Sequence, residues 1–290
     1  MQNYLNIVQK ILKEGDIKQN RTGIKTLAIA GVMFEHDMSR GFPLLTTKKM
    51  PFKVISTELE FFIKGITDKE WLKERNNHIW DEWANPKKAP YGHDEASKEK
   101  MANERDLGPI YGFQWRHYNA PYENYDTNYE GKGCDQLKNL VEKLKSNPQD
   151  RRMIVSAWNP LQMNEMGLPP CHYSFQVTVI GNKINLMWNQ RSVDVMLGLP
   201  FNIASYALLL HLLAKESGFE EGRLVGFLGD THIYENHIEG AKLQLTRNPD
   251  EHKLCSIQTE PFTSIFEWEA SHTKKVAYSS HEKIQFAIAV

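Results

Sequence analysis

Apolar residues recur at helical spacing from the start of the chain: Leu5, Val8, Ile11 and Leu12 share one face and the pattern stops near Gly15, which predicts an amphipathic helix. The polar loop Asn20-Arg21-Thr22-Gly23 follows, and Thr26 to Phe34 reads as a strand. Phe52 to Ile63 is a largely apolar helix in which Glu58 stands out, because a carboxylate there must be paired or used. Residues 86–106 break the pattern with Pro86, Lys87, Lys88, Pro90, Gly92, His93 and a run of mixed charge ending at Asp106, the signature of a surface insertion. Residues 119–133, rich in Tyr, Asn, Asp and Gly, are similar in kind, and Cys134 to Lys145 resumes a helical period.

The second half is strand-rich. Met153 to Trp158, Tyr173 to Ile180, Lys183 to Gln190 and Arg223 to Leu228 read as strands, and Gly181-Asn182 is a two-residue hairpin turn. Ile203 to Lys215 reads as a buried helix ended near Gly218. Neither polar break has the composition of a linker and no repeat is visible. The pattern therefore predicts one mixed α/β (α+β) domain over 1–290, a largely antiparallel sheet flanked by helices.

Composition narrows the function. With 41% hydrophobic and 24% charged residues in 290, the chain can bury a core, and whole-chain disorder is excluded. The 35 basic and 36 acidic side chains leave a formal charge of -1, so no global field draws in DNA or an anionic membrane. The longest apolar run, Ile203 to Ala214, falls short of the ~20 residues a bilayer span needs. The opening residues carry no secretory pattern, which points to the cytoplasm. Cys134, Cys171 and Cys255 are far apart and odd in number, so free thiols are expected. His232 and His237 are five apart and do not share a helical face, so no metal site is read there.

The candidate chemistry centres on Cys171. Pro169 and Pro170 stiffen its approach, and nearby arginines are expected to lower the thiol pKa. His172 neighbours it on a strand and faces the other way, which makes it a poor protease-like base. Arg191 with Ser192 combines a fork of donors with a hydroxyl, a suitable anion site, and Arg21 is a further candidate. Arg151 and Arg152 alternate faces, so both reach one anion only at a strand end or across a subunit boundary. Asn202 is either the N-cap of the buried helix or a bidentate partner for a ring carbonyl and its adjacent NH. Tyr111, after Leu107-Gly108-Pro109-Ile110, offers a phenol for proton transfer or simply fills the core.

Taken in order, Asn20-Arg21-Thr22-Gly23, Phe42-Pro43-Leu44-Leu45-Thr46-Thr47-Lys48-Lys49, Ile79-Trp80-Asp81-Glu82-Trp83, Leu107 to Gly112, Arg151-Arg152, Pro170-Cys171-His172, Gln190 to Leu210, Gly229 to Tyr234 and the terminal Ala289-Val290 resemble the thymidylate synthase family over nearly the whole chain. The resemblance implies a homodimer that methylates dUMP to dTMP, with 5,10-methylenetetrahydrofolate as carbon donor and reductant and no metal. It implies Cys171 as the nucleophile at carbon 6 of the uracil. Glu58 and Tyr111 would move protons, and His172 would belong to the water network around Cys171. Arg21, Arg191, Ser192 and, from the other subunit, Arg151 and Arg152 would hold the phosphate. Gln190 and Asn202 would face the uracil, and His232 and Tyr234 the ribose. Asp194, a catalytic residue by the same resemblance, would frame the folate with Ile79, Trp80, Leu197, Gly198, Phe201 and Val290, with Lys48 near its glutamate tail.

The chain departs from the family pattern at Glu60, at Asn189 and at Tyr278-Ser279-Ser280-His281-Glu282. Two other readings remain: a dUMP hydroxymethylase of the same superfamily, and a nucleotide- or RNA-binding regulator that has no use for Cys171, Glu58 and Tyr111 together. Binding of its own mRNA is not indicated.

Overall fold

The computed structural model describes residues 1–288, and its centre is a six-stranded sheet in the order β1-β2-β6-β5-β4-β3. The strands are β1 (Asp16–Lys18), β2 (Thr26–Asp37), β3 (Ile154–Ser156), β4 (His172–Ile180), β5 (Lys183–Asp194) and β6 (Glu220–Tyr234). All neighbours are antiparallel except β5 and β6. A parallel pair cannot be closed by a tight turn. The crossover here is α7 (Gly198–Ser217), buried almost throughout from Ile203 to Ala214 and packed on both strands. The mixed, largely antiparallel sheet is thus the one the strand pattern predicts.

The other helices are α1 (Gln2–Glu14), α2 (Phe52–Ile63), α3 (Glu70–Lys73), α4 (Glu95–Asn103), α5 (Tyr111–His117), α6 (Gln136–Ser146) and α8 (Ile238–Leu245). A separate hairpin pairs β7 (Ser256–Thr259) with β8 (Thr273–Val276). No helix among the described residues is long and apolar enough to cross a membrane.

Several details differ from the pattern. α7 begins at Gly198 rather than Ile203, because Pro200 falls in the first turn, where its missing N–H leaves no bond unmade. Asn202 therefore lies inside the helix, and its reading as an N-cap is overturned. β6 runs on to Tyr234, carried by full-length pairing with β2 and β5. Residues 86–106 also hold a helix, α4, capped by the Asp94 carboxylate and anchored by Met101 in a small cluster with Ala84 and Ala89. The buried Lys69 ammonium clasps this region, donating to the carbonyls of Asp81 (3.0 Å), Trp83 (2.9 Å) and Met101.

Two glycines answer to geometry. Gly226 lies across from Trp188, and a Cβ there would sit 2.3 Å from Trp188 Cζ2. The indole needs that space to stack on Tyr206 at 5.4 Å and 11°. Gly108 has φ +75°, and a Cβ would meet the Glu165 carbonyl oxygen at 1.9 Å, so only glycine fits the loop that delivers Tyr111. α7 covers one face of the sheet, while Met33 and Phe227, on paired rungs of β2 and β6, are exposed.

Candidate active site

A cavity of about 550 Å³ opens at the end of β5 and β6, and Arg21, Cys171, Arg191, Ser192, His232 and Tyr234 line it. Pairing builds this grouping. Ser192 lies opposite Asp230 and Asp194 opposite His232 in the parallel register. Cys171, immediately before β4, accepts at its carbonyl from the Arg191 amide at 2.8 Å. The Arg191 guanidinium donates to the carbonyls of Pro170 (Nε, 2.9 Å) and Pro169 (Nη2, 2.9 Å), which aims its charge alongside the thiol. His232 Nδ1 lies 2.9 Å from Asp230 Oδ1, and Asp230 also pairs with Lys18.

The Cys171 thiol is pushed up from its ordinary value by burial, which outweighs the opposing charges of Arg191 and Arg21. The expectation of a depressed pKa is thus corrected: in the structure the resting group is a thiol, because depth in the fold outweighs the charge of its neighbours. The Cys171 amide donates to the Tyr111 phenolic oxygen at 2.7 Å. Tyr111 is held well above its ordinary value, chiefly by burial. It stacks on His172 at 4.3 Å and 23°. His172 Nδ1 meets the Tyr206 hydroxyl at 2.9 Å, and burial pushes the imidazole down to about 3, so it is neutral at pH 7.

Glu58, half-buried by its accessible surface, extends this layer. Its Oε1 accepts from Trp80 Nε1 at 2.8 Å, and burial raises the carboxyl to about 7 despite that bond. Phe62 packs between, 4.9 Å from the Tyr111 ring and 6.2 Å from that of Trp80. Gln190 accepts from Trp188 Nε1 (3.1 Å) and donates through Nε2 to Asn202 Oδ1 (3.0 Å), which leaves the Asn202 amide hydrogens unused by that contact.

The β5–α7 turn is closed by Asp194 Oδ1, which accepts from the amides of Met196 (3.0 Å) and Leu197 (3.1 Å) before the helix starts at Gly198. Lys48 is buried, donates to the Met196 carbonyl and lies 4.8 Å over the Phe286 ring. Burial brings its ammonium down to about 8, against the opposing charge of Asp194. Phe201 and Ile79 are half-buried against the main core. Val290 lies outside the described residues.

Arg151 and Arg152 are not brought to this cavity. Both are exposed in the turn before β3, and Arg152 Nε is paired with Asp150 at 2.9 Å. Three groups at the site were not singled out in the sequence. Tyr206 was within reach, being four residues after Asn202 on one helix face. Lys18, on a strand of three exposed residues, and Tyr91, inside the insertion, gave no local signal.

The departures from the family pattern are accommodated. Glu60 pairs with Lys64 at 2.6 Å and accepts from the Ala270 amide at 2.9 Å. Asn189 donates to Ser174 Oγ at 3.2 Å. The Tyr278 hydroxyl donates to the Leu45 carbonyl at 2.7 Å and accepts from the Met50 amide at 2.9 Å.

The chain is 42% identical over 294 aligned residues to a bifunctional dihydrofolate reductase-thymidylate synthase of Paramecium tetraurelia, with 99% of this chain covered. It spans 61% of the length of that relative. The family model for thymidylate synthase matches residues 2–290, so the match takes in every strand and helix that shapes the cavity, and the chain belongs to the thymidylate synthase family.

Proposed function

We propose that the chain methylates dUMP to dTMP with 5,10-methylenetetrahydrofolate. The observation that carries this reading is the convergence on one cavity of a thiol, two arginines, a hydroxyl and a His–Tyr pair, with a raised carboxyl and a buried phenol behind it. Arg21, Arg191 and Ser192 bind the phosphate, and His232 with Tyr234 the ribose hydroxyl. Asn202, its oxygen engaged by Gln190, offers its amide hydrogens to a uracil carbonyl. Cytosine presents an amino donor at the position where uracil has its second carbonyl, and the site favours uracil.

Cys171 adds through sulfur to carbon 6 of the uracil and loses its proton as it does so. Arg191 stabilises the thiolate as it forms, and the new bond makes carbon 5 nucleophilic. Glu58, raised to about 7, exchanges a proton with the ring carbonyl, and Tyr111 assists removal of the proton from carbon 5. The folate would supply the one-carbon unit and the hydride that completes the methyl group, after which the Cys171 sulfur–carbon 6 bond breaks, carbon 5 and carbon 6 regain their double bond, and dTMP leaves. The residues suit it: Asp194 offers a carboxylate to ring donors and Lys48 a buried cation to an anionic tail. Trp80, 4% exposed and fixed by Glu58, walls the site against water, which favours reduction over hydration at the new carbon.

The test is product analysis after incubation of dUMP with methylenetetrahydrofolate. The reading requires dTMP and dihydrofolate in equal amounts; hydroxymethyl-dUMP with tetrahydrofolate, or unchanged substrate, would overturn it.

A second copy of the chain completes the proposal. Arg151 and Arg152 are exposed and away from their own cavity, and the uncovered sheet face bearing Met33 and Phe227 offers an apolar surface for a partner. Paired across that face, two copies would each lend these arginines to the other's phosphate site.

A further inference from the structure

The 86–106 insertion reaches the cavity through Pro86 and Tyr91. Tyr91 lines it beside Arg21, and Arg21 Nη1 donates to the Tyr91 hydroxyl at 2.9 Å. The guanidinium carbon lies 5.2 Å from the Tyr91 ring centre and 5.6 Å from that of Trp83. These two rings stack on each other at 5.8 Å and 9°, and His93 packs edge-on to Tyr91 at 5.1 Å. The platform is itself anchored, because Lys69 holds the Trp83 carbonyl and, through Met101, the helix that ends the insertion. Arg21 has no comparable anchor in its own loop, where Asn20 Oδ1 binds only the Thr22 amide (2.9 Å) and hydroxyl (2.6 Å).

We infer that Tyr91 is a positioning residue for the nucleotide phosphate: it fixes the Arg21 guanidinium against Trp83 so that its remaining N–H edge faces the anion. An exposed arginine otherwise loses most of its rotamer freedom when it binds a phosphate, and that cost falls on affinity. A planar fork already stacked and hydrogen-bonded at one nitrogen has lost that freedom beforehand, with four N–H groups still available. Cys171 lines the same cavity as Arg21, so the held guanidinium and the reacting sulfur share one site. The inference rests on the proposed nucleotide site, and it adds a residue that a chain without this insertion could not supply.

The experiment compares Tyr91→Phe, Tyr91→Ala, Arg21→Ala and the Tyr91→Ala/Arg21→Ala double variant in the full chain. It reads dUMP affinity by calorimetry, KM and kcat by turnover, and the inhibition constant of inorganic phosphate. Tyr91→Phe keeps the stacked rings and is expected to weaken dUMP about fivefold, the worth of one net hydrogen bond. Tyr91→Ala should weaken it by on the order of tenfold or more, raise the phosphate inhibition constant in parallel and leave kcat within about twofold. In the Arg21→Ala background the Tyr91→Ala change should have no further effect.

A Tyr91→Ala loss that persists without Arg21, an unchanged phosphate constant, or tighter dUMP binding would each overturn the assignment. Should Tyr91→Ala fail to fold, Tyr91→Phe against Arg21→Ala carries the same comparison. Wild-type protein that binds dUMP and does not methylate it would overturn the proposed activity alone, whereas an additive cycle would overturn only the role of Tyr91.

Discussion

Glu58 shows how a single side chain is tuned by its place. Burial lifts its carboxyl from 4.5 to about 7, so between those values the folded protein holds a proton that the unfolded chain has released. Stability attached to this group is therefore complete below pH 4.5 and is lost as pH rises through 7. At full ionisation the loss approaches about 3 kcal/mol as an upper bound. Glu58→Gln cannot ionise and should escape the loss. Chemical denaturation at pH 5 and pH 9 should show the variant gaining on the wild type by up to that amount at the higher pH. An equal difference at both values would mean that the carboxyl is ordinary. Cys171 is the opposite lesson for reading residues. Its prolines and the arginines nearby are visible in the sequence, but the sign of its pKa shift depends on depth, which no local pattern records.

At the level of elements, strands and helices with strong apolar periods were legible, and those without were not. α2 carries Ile55, Leu59, Phe62 and Ile63 inward and lies where its period predicts, from Phe52 to Ile63. β1 has three exposed residues, and β7 alternates Ser256 and Gln258 with half-buried partners, so neither announces itself by hydrophobicity. The start of α7 is hidden from the pattern because its first turn, Gly198-Leu199-Pro200, is written in residues that elsewhere end helices. The site was legible where residues adjoin in sequence, as with Arg191 and Ser192. It was not where contact depends on distant pairing, as with Arg21 and Tyr91, 70 positions apart. Packing between elements makes its own prediction. Gly226→Ala would drive a methyl into the Trp188 indole and separate it from Tyr206, costing on the order of 1–3 kcal/mol. A denaturant titration would measure this, and a neutral result would show that β6 can shift away from the indole.

For the whole molecule the decisive question is whether one chain suffices. If Arg151 serves a neighbour's phosphate, Arg151→Ala and Cys171→Ala chains are each impaired alone, yet their mixture forms some intact sites. With free exchange, about a quarter of wild-type activity should return, since half the dimers are mixed and each has one whole site. No recovery despite proven exchange would count against a shared site. The parallel pairing of β5 with β6 bears on the molecule as a whole in another way. It absorbs one irregularity between Ile184 and Leu186, then proceeds in step through Ser192 opposite Asp230 to Asp194 opposite His232. The two strands thus act as a ruler whose marks are main-chain hydrogen bonds. Added or deleted residues can be taken up in surface loops such as 86–106, but a single one in the second half of either strand would put every later side chain out of step at once. An insertion in the second half of β5 or β6 is therefore expected to cost far more than one of the same length in 86–106.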